Sequence, residues 1–112
     1  MTEWIDVGAL DDIAPQGARL VKTAAGCVAV FRTADDRVFA IDDRCPHKGG
    51  PLSEGIVHGA SVTCPLHGRV FDLETGDSAD AEEGAVATYP ARIEAGRILL
   101  DASRLRRRAA AA

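Results

Sequence analysis

Two short, mixed pairs of metal-binding side chains constrain this chain more than any other feature: Cys45-Pro46-His47 and, after residues 48–63, Cys64-Pro65-Leu66-His67. Thiolates and imidazoles are donors that soft and borderline metal ions select, and two of each make a complete ligand set. A fold that uses them must bring two separated segments to one place. Both segments resist assignment as strands, since Pro46, Gly49, Gly50 and Pro51 interrupt 43–54 while Pro65 and Gly68 interrupt 64–69. The pairs are therefore expected on loops.

The rest of the chain reads as strand. Short runs rich in Val, Ile, Phe and Tyr recur every eight to twelve residues between Gly, Asp and Pro, and no helical period persists before Asp101. Strands are expected at 4–7, 18–23, 27–32, 38–42, 56–58, 61–64, 70–72, 86–89, 91–94 and 97–100, with one helical turn around 9–13. Gly59-Ala60 suits a type II′ hairpin, Gly96 in Ala95-Gly96 tolerates positive φ, and Asp35-Asp36 closes another pair. The expected class is all-β, an antiparallel sandwich or meander, with a small metal-binding subdomain formed by the two loops.

At 112 residues the chain is one domain, near the size at which a core benefits from a metal or a partner. Residues 1–101 carry the strand pattern. The segment 102–112 is distinct, an Arg/Ala-rich tail that reads as frayed or as an electrostatic docking element. Arg104, Arg106, Arg107 and Arg108 lie there, so the body holds nine basic residues against 17 acidic. An acidic body argues against nucleic acid as partner, because phosphate binding needs a basic surface; a protein with a basic docking face fits better. MTEWIDVGALDD has neither the basic start nor the apolar stretch of an export signal, and no run reaches transmembrane length. The expectation is a cytoplasmic protein with no membrane association. Three cysteines, an odd number, fit a reducing compartment where thiols bind metals.

Mononuclear zinc is the chemical rival, since two Cys and two His also make a tetrahedral zinc set. Zinc knuckles usually separate paired ligands by two or more residues, whereas one residue separates Cys45 from His47 and each pair mixes its donors. Mixed pairs suit two irons better. No nucleophilic serine arrangement, phosphate-cradling glycine loop or carboxylate dyad stands out, so no catalytic residue is assigned.

The spacing Cys-x-His, 16 residues, Cys-x-x-His resembles the Rieske domains. That resemblance implies a [2Fe-2S] cluster in which Cys45 and Cys64 bind one iron and His47 and His67 the other. Two ferric ions, two sulfides, two thiolates and two neutral imidazoles sum to zero charge, so an electron is added more easily than to a cluster with four thiolates. Respiratory-complex members carry a further disulfide between the loops, for which Gly50 and Leu66 stand here. They also place a Ser and a Tyr where this chain has Arg69 and Phe71. The expected potential is thus toward the lower end of roughly −150 to +300 mV.

The stretches WIDVGALDDI, GCVAVFRTADDRVFAIDDRCPHKGGPLSEGIVHG, CPLHGRVFDLETG and EEGAVATYPARIEAGRILL are most similar to the small subunits of assimilatory NAD(P)H-dependent nitrite reductases. This resemblance implies a large flavin and siroheme subunit as partner, which reduces nitrite to ammonium; the chain would be an oxidoreductase subunit, not catalytic alone. A free-standing ferredoxin of an aromatic-ring dioxygenase system, serving a ferredoxin reductase and an oxygenase, shares the motif. Such ferredoxins commonly have a proline between the second loop and the last strands, whereas 78–88 here is acidic and proline-free. A third reading is a structural subunit whose site is empty or holds zinc.

Among the remaining residues, Cys27 in GCVAVF is expected to pack in the core and His58 to lie on a hairpin surface. Lys48, beside His47, is a candidate contact for the partner. Trp4, Phe31, Phe39 and Phe71 are expected in the core or between sheets.

Overall fold

The computed structural model describes residues 4–23, 26–44, 51–65, 68–78, 85–101 and 103. GCVAVFR shows why the layers form. In this strand, β3 (Gly26–Arg32), the four consecutive residues Val28, Ala29, Val30 and Phe31 are all fully buried. Alternate side chains of a strand point to opposite faces, so a run that is apolar throughout must be covered on both sides. Val28 and Val30 enter one core with Ile13, Val38, Ala40, Tyr89, Ile98 and Leu100. Ala29 and Phe31 enter the other with Ile41, Leu52, Val57, Val62, Cys64, Phe71, Leu73 and Val86.

Three antiparallel sheets produce these two cores. The central sheet has the order β2 (Ala18–Thr23), β3, β4 (Val38–Asp42) and β8 (Thr88–Tyr89). One face is covered by β1 (Trp4–Ala9), β10 (Arg97–Asp101) and β9 (Ala91–Glu94), in that order. The other is covered by β5 (Ile56–His58), β6 (Ser61–Thr63) and β7 (Val70–Asp72). The all-β antiparallel expectation is met, and the two proposed ligand loops leave from β4 and β6.

The hairpins follow the turn chemistry. Gly59 takes φ 58°, as a type II′ turn requires, while Ala95 and Gly96 both have positive φ (51° and 76°), the type I′ form whose twist matches the strands it joins. Between β3 and β4, Asp36 adopts φ 63°, its N–H donates to the Thr33 carbonyl at 3.1 Å, and Arg32 Nη2 bonds its carboxylate at 2.7 Å.

Three expectations need correction, for Cys27, for the strand at 86–89 and for Trp4. Cys27 is exposed, not core: it pairs with Lys22 beside the β2–β3 turn, beyond the reach of both covering layers. The strand expected at 86–89 begins at Thr88, because the Val86 N–H is committed to the Gly76 carbonyl at 2.9 Å. The interrupted segment 43–54 ends in a 3-10 turn, Leu52–Glu54, while the turn expected around 9–13 is the 3-10 turn Leu10–Asp12. Phe31 and Phe71 are buried and Phe39 packs against the core that holds them, but Trp4 is only half-buried, stacked under Arg92 at 4.4 Å. No helix among the described residues is long and apolar enough to cross a membrane.

Candidate metal centre

Cys64 follows β6 directly, and its loop is closed by its own backbone. The Cys64 N–H donates to the Arg69 carbonyl at 2.7 Å and the Gly68 N–H to the Cys64 carbonyl at 3.1 Å. Gly68 has φ 68°, a conformation that a side chain would strain. Cys64 is 1% exposed and packs in the core that holds Leu52, Val62 and Phe71, whereas Pro65 and Gly68 on either side of the loop are exposed. A free thiol thus lies buried one residue before the exposed Pro65.

The first loop is anchored at both ends. On its entering arm, the Asp42 N–H donates to the Ala87 carbonyl at 3.0 Å, and Tyr89 Oη donates to the Asp42 carboxylate at 2.8 Å. The Asp43 N–H donates to the Cys27 carbonyl at 3.0 Å. On the returning arm, Leu52 is fully buried in the same core as Cys64, and the Ser53 N–H donates to Asp43 Oδ1 at 2.6 Å. Gly55 then passes so close to β6 that a Cβ there would lie 2.3 Å from the Thr63 carbonyl oxygen.

Of the four ligand candidates, Cys64 is placed by these contacts. Cys45, His47 and His67 lie outside the described residues, as do Lys48 and, apart from Ser103, the tail 102–112. His58 is exposed on its hairpin, as expected, with Nε2 2.7 Å from Thr63 Oγ1. No group of three or more His, Cys, Asp or Glu able to hold a metal occurs among the described residues. The roles of Asp42, Asp43 and Tyr89 escaped sequence reasoning, because Asp42-Asp43 carries no motif and its partners are distant in the chain.

The donor set fits an iron–sulfur cluster. A thiolate enclosed by aliphatic and aromatic side chains needs a positive partner to offset its desolvation, and ferric iron supplies one. Phe71, fully buried in the core of Cys64, brings no hydroxyl to the site. The apolar wall would therefore tune a cluster by burial, one of the levers on its potential.

Comparison with known proteins agrees with this chemistry. The family model of the Rieske-like [2Fe-2S] domain matches residues 3–101. The ferredoxin component of a naphthalene 1,2-dioxygenase system from Pseudomonas aeruginosa is 36% identical over 105 residues, which cover 92% of this chain and 100% of that protein. A solved Mycobacterium tuberculosis protein, described as an NADH-dependent nitrite reductase small subunit, superposes with a TM-score of 0.81 at 31% identity, covering 89% of this chain and 95% of that one. The ferredoxin of carbazole 1,9a-dioxygenase from Nocardioides aromaticivorans IC177 superposes with a TM-score of 0.78 at 28% identity, covering 88% and 96%. The buried cysteine, the three-sheet fold and these matches together establish that the chain belongs to the Rieske-like [2Fe-2S] domain family, electron-transfer domains whose cofactor is a Rieske [2Fe-2S] cluster.

Proposed function

We propose that this chain is the electron-transfer small subunit of an NAD(P)H-dependent nitrite reductase, acting in the cytoplasm beside a large flavin and siroheme subunit that converts nitrite to ammonium in nitrogen assimilation. Residues 1–101 form the Rieske domain in this reading, with Cys45 and Cys64 ligating one iron and His47 and His67 the other. The cluster, when bound, accepts and releases one electron. The chain supplies the apolar wall around Cys64 and the anchored arms of the first loop, which hold the ligands and keep water from the thiolate side. Burial against Leu52 and Phe71 favours the less charged state, consistent with a potential low in the Rieske range.

The observation that carries the nitrite reductase reading is the likeness to the Mycobacterium tuberculosis protein along almost the whole of both chains, together with the acidic, proline-free segment 78–88. A second reading, a free-standing ferredoxin passing electrons from a reductase to a ring-hydroxylating oxygenase, draws on the full-length relationship to the naphthalene dioxygenase component. Reconstitution separates them. The holoprotein should co-purify with a large siroheme subunit and restore nitrite-dependent NAD(P)H oxidation, and Cys64→Ser should remove that restoration. Electron delivery to a ring-hydroxylating oxygenase, with no binding to the siroheme subunit, would establish the ferredoxin reading instead.

A further inference from the structure

Asp43 stands at the mouth of the first loop with its N–H and its carboxylate engaged. Its N–H is tied to β3 through the Cys27 carbonyl at 3.0 Å, and its partly buried carboxylate accepts the Ser53 N–H at 2.6 Å, ten residues further along the chain. Ser53 is the second residue of the turn Leu52–Glu54, and Pro51, which precedes that turn, provides no side-chain cap. N–H groups at the start of a helical turn have no acceptor within it, so the carboxylate at the loop's entrance satisfies the one at its exit. Leu52, fully buried beside Cys64, fixes the same exit to the core.

Asp72 provides the contrast. Its Oδ1 accepts the N–H groups of Glu74 and Thr75, two and three residues away, at 2.8 and 3.2 Å, which is an ordinary local turn. The bond from Asp43 instead spans the segment that contains Cys45 and His47 and closes it into a ring.

We propose that Asp43 is a positioning residue for the cluster: its carboxylate clasps the two ends of the first ligand loop, fixing the span at which Cys45 and His47 are offered to the metal. The inference rests on the four-ligand reading above. A charge-assisted, partly buried hydrogen bond of this kind shifts a local opening equilibrium by about ten- to a hundredfold. Asparagine keeps an acceptor oxygen in the same position without the charge, and alanine removes it.

The test compares holoprotein of the natural sequence with Asp43→Asn, Asp43→Ala and Asp72→Ala, following bleaching of the visible absorption in excess iron chelator and the line shape of the electron paramagnetic resonance signal after reduction. Asp43→Ala should bleach about ten- to a hundredfold faster and show broadened lines. Asp43→Asn should fall between it and the natural protein, and Asp72→Ala should match the natural protein. Amide exchange should show Ser53 losing protection in Asp43→Ala while Val28 and Val30 keep theirs. If Asp43→Ala does not fold, the Asn variant decides: slower bleaching than in Asp72→Ala, or an unchanged rate with unchanged lines, would overturn the clasp. A natural protein that shows a Rieske signal while Asp43→Ala bleaches at its rate would overturn the clasp alone. Absence of any Rieske signal in the natural protein would overturn the ligand reading and the clasp with it.

Discussion

The central sheet and the small sheet β5–β7 share one core but are held in place differently. β2 and β3 pair over six residues and β3 and β4 over five, with consecutive side chains of β3 buried on both faces. Each strand of the small sheet has three residues and buries one of them, Val57, Val62 or Phe71. So little apolar area per strand leaves the small sheet dependent on individual polar ties and close contacts: Gln16 Nε2 on the Val57 carbonyl at 3.2 Å, the Asp43–Ser53 bond, and the close passage of Gly55 over β6. The lesson is a division of labour. A sheet stabilised by burial carries a smaller one, whose strand β6 leads directly into Cys64.

Replacing matched aromatic residues should expose that division most strongly. Phe31→Ala removes a fully buried ring from the central sheet and should lower global stability by about 3–5 kcal/mol in a denaturant titration. Phe71→Ala carries a similar cavity cost but acts on the part that opens first, so amide exchange should show Val62 and Val70 losing protection before Val28 and Val30. Equal loss at all four would mean that the two sheets open as one unit.

A smaller effect is expected at the seam. In Gly55→Ala the new methyl meets the Thr63 carbonyl, one residue before Cys64, and backbone cannot yield as a flexible side chain can. Overpacking of this kind costs about 1–3 kcal/mol. Thermal unfolding should show this loss, and the holoprotein should also release its iron faster than the natural protein. A variant as stable as the natural protein would show that β5 can move away from β6.

The smallest effect belongs to the outer sheet, far from the loops. Hydrogen bonds from Arg97, at 2.9 and 3.1 Å, and from the Gly8 N–H hold the Asp6 carboxyl below its ordinary value. Because the folded-state pKa is depressed, the unfolded chain binds the proton more readily. The contribution of Asp6 is therefore complete above the ordinary carboxylate range and is lost as pH falls through the folded value. Asp6→Asn should reduce the difference in stability between neutral and strongly acidic pH, measured by denaturant titration. An unchanged difference would remove Asp6 from the acid response.

These contrasts also explain what was legible in the sequence. β2, β4, β5, β7 and β9 have the expected bounds, because alternation and turn residues act locally. The misplacement of Cys27 has a tertiary cause: an apolar run does not show where the covering layers end. Val86 likewise looks like strand but is engaged by Gly76, ten residues earlier. At the candidate site, the residue types and spacing of Cys45, His47, Cys64 and His67 announced a metal. The supports from Asp43, Asp42 and Tyr89 did not appear, since each joins positions that only the folded chain brings together.

The most direct test of the central claim is electron nuclear double resonance on the reduced holoprotein. Two strongly coupled imidazole nitrogens are predicted, and replacing His47 or His67 should abolish the native pattern. An iron–sulfur signal with no coupled nitrogen, or a colourless protein that retains zinc, would contradict the assignment of a Rieske centre to these four residues.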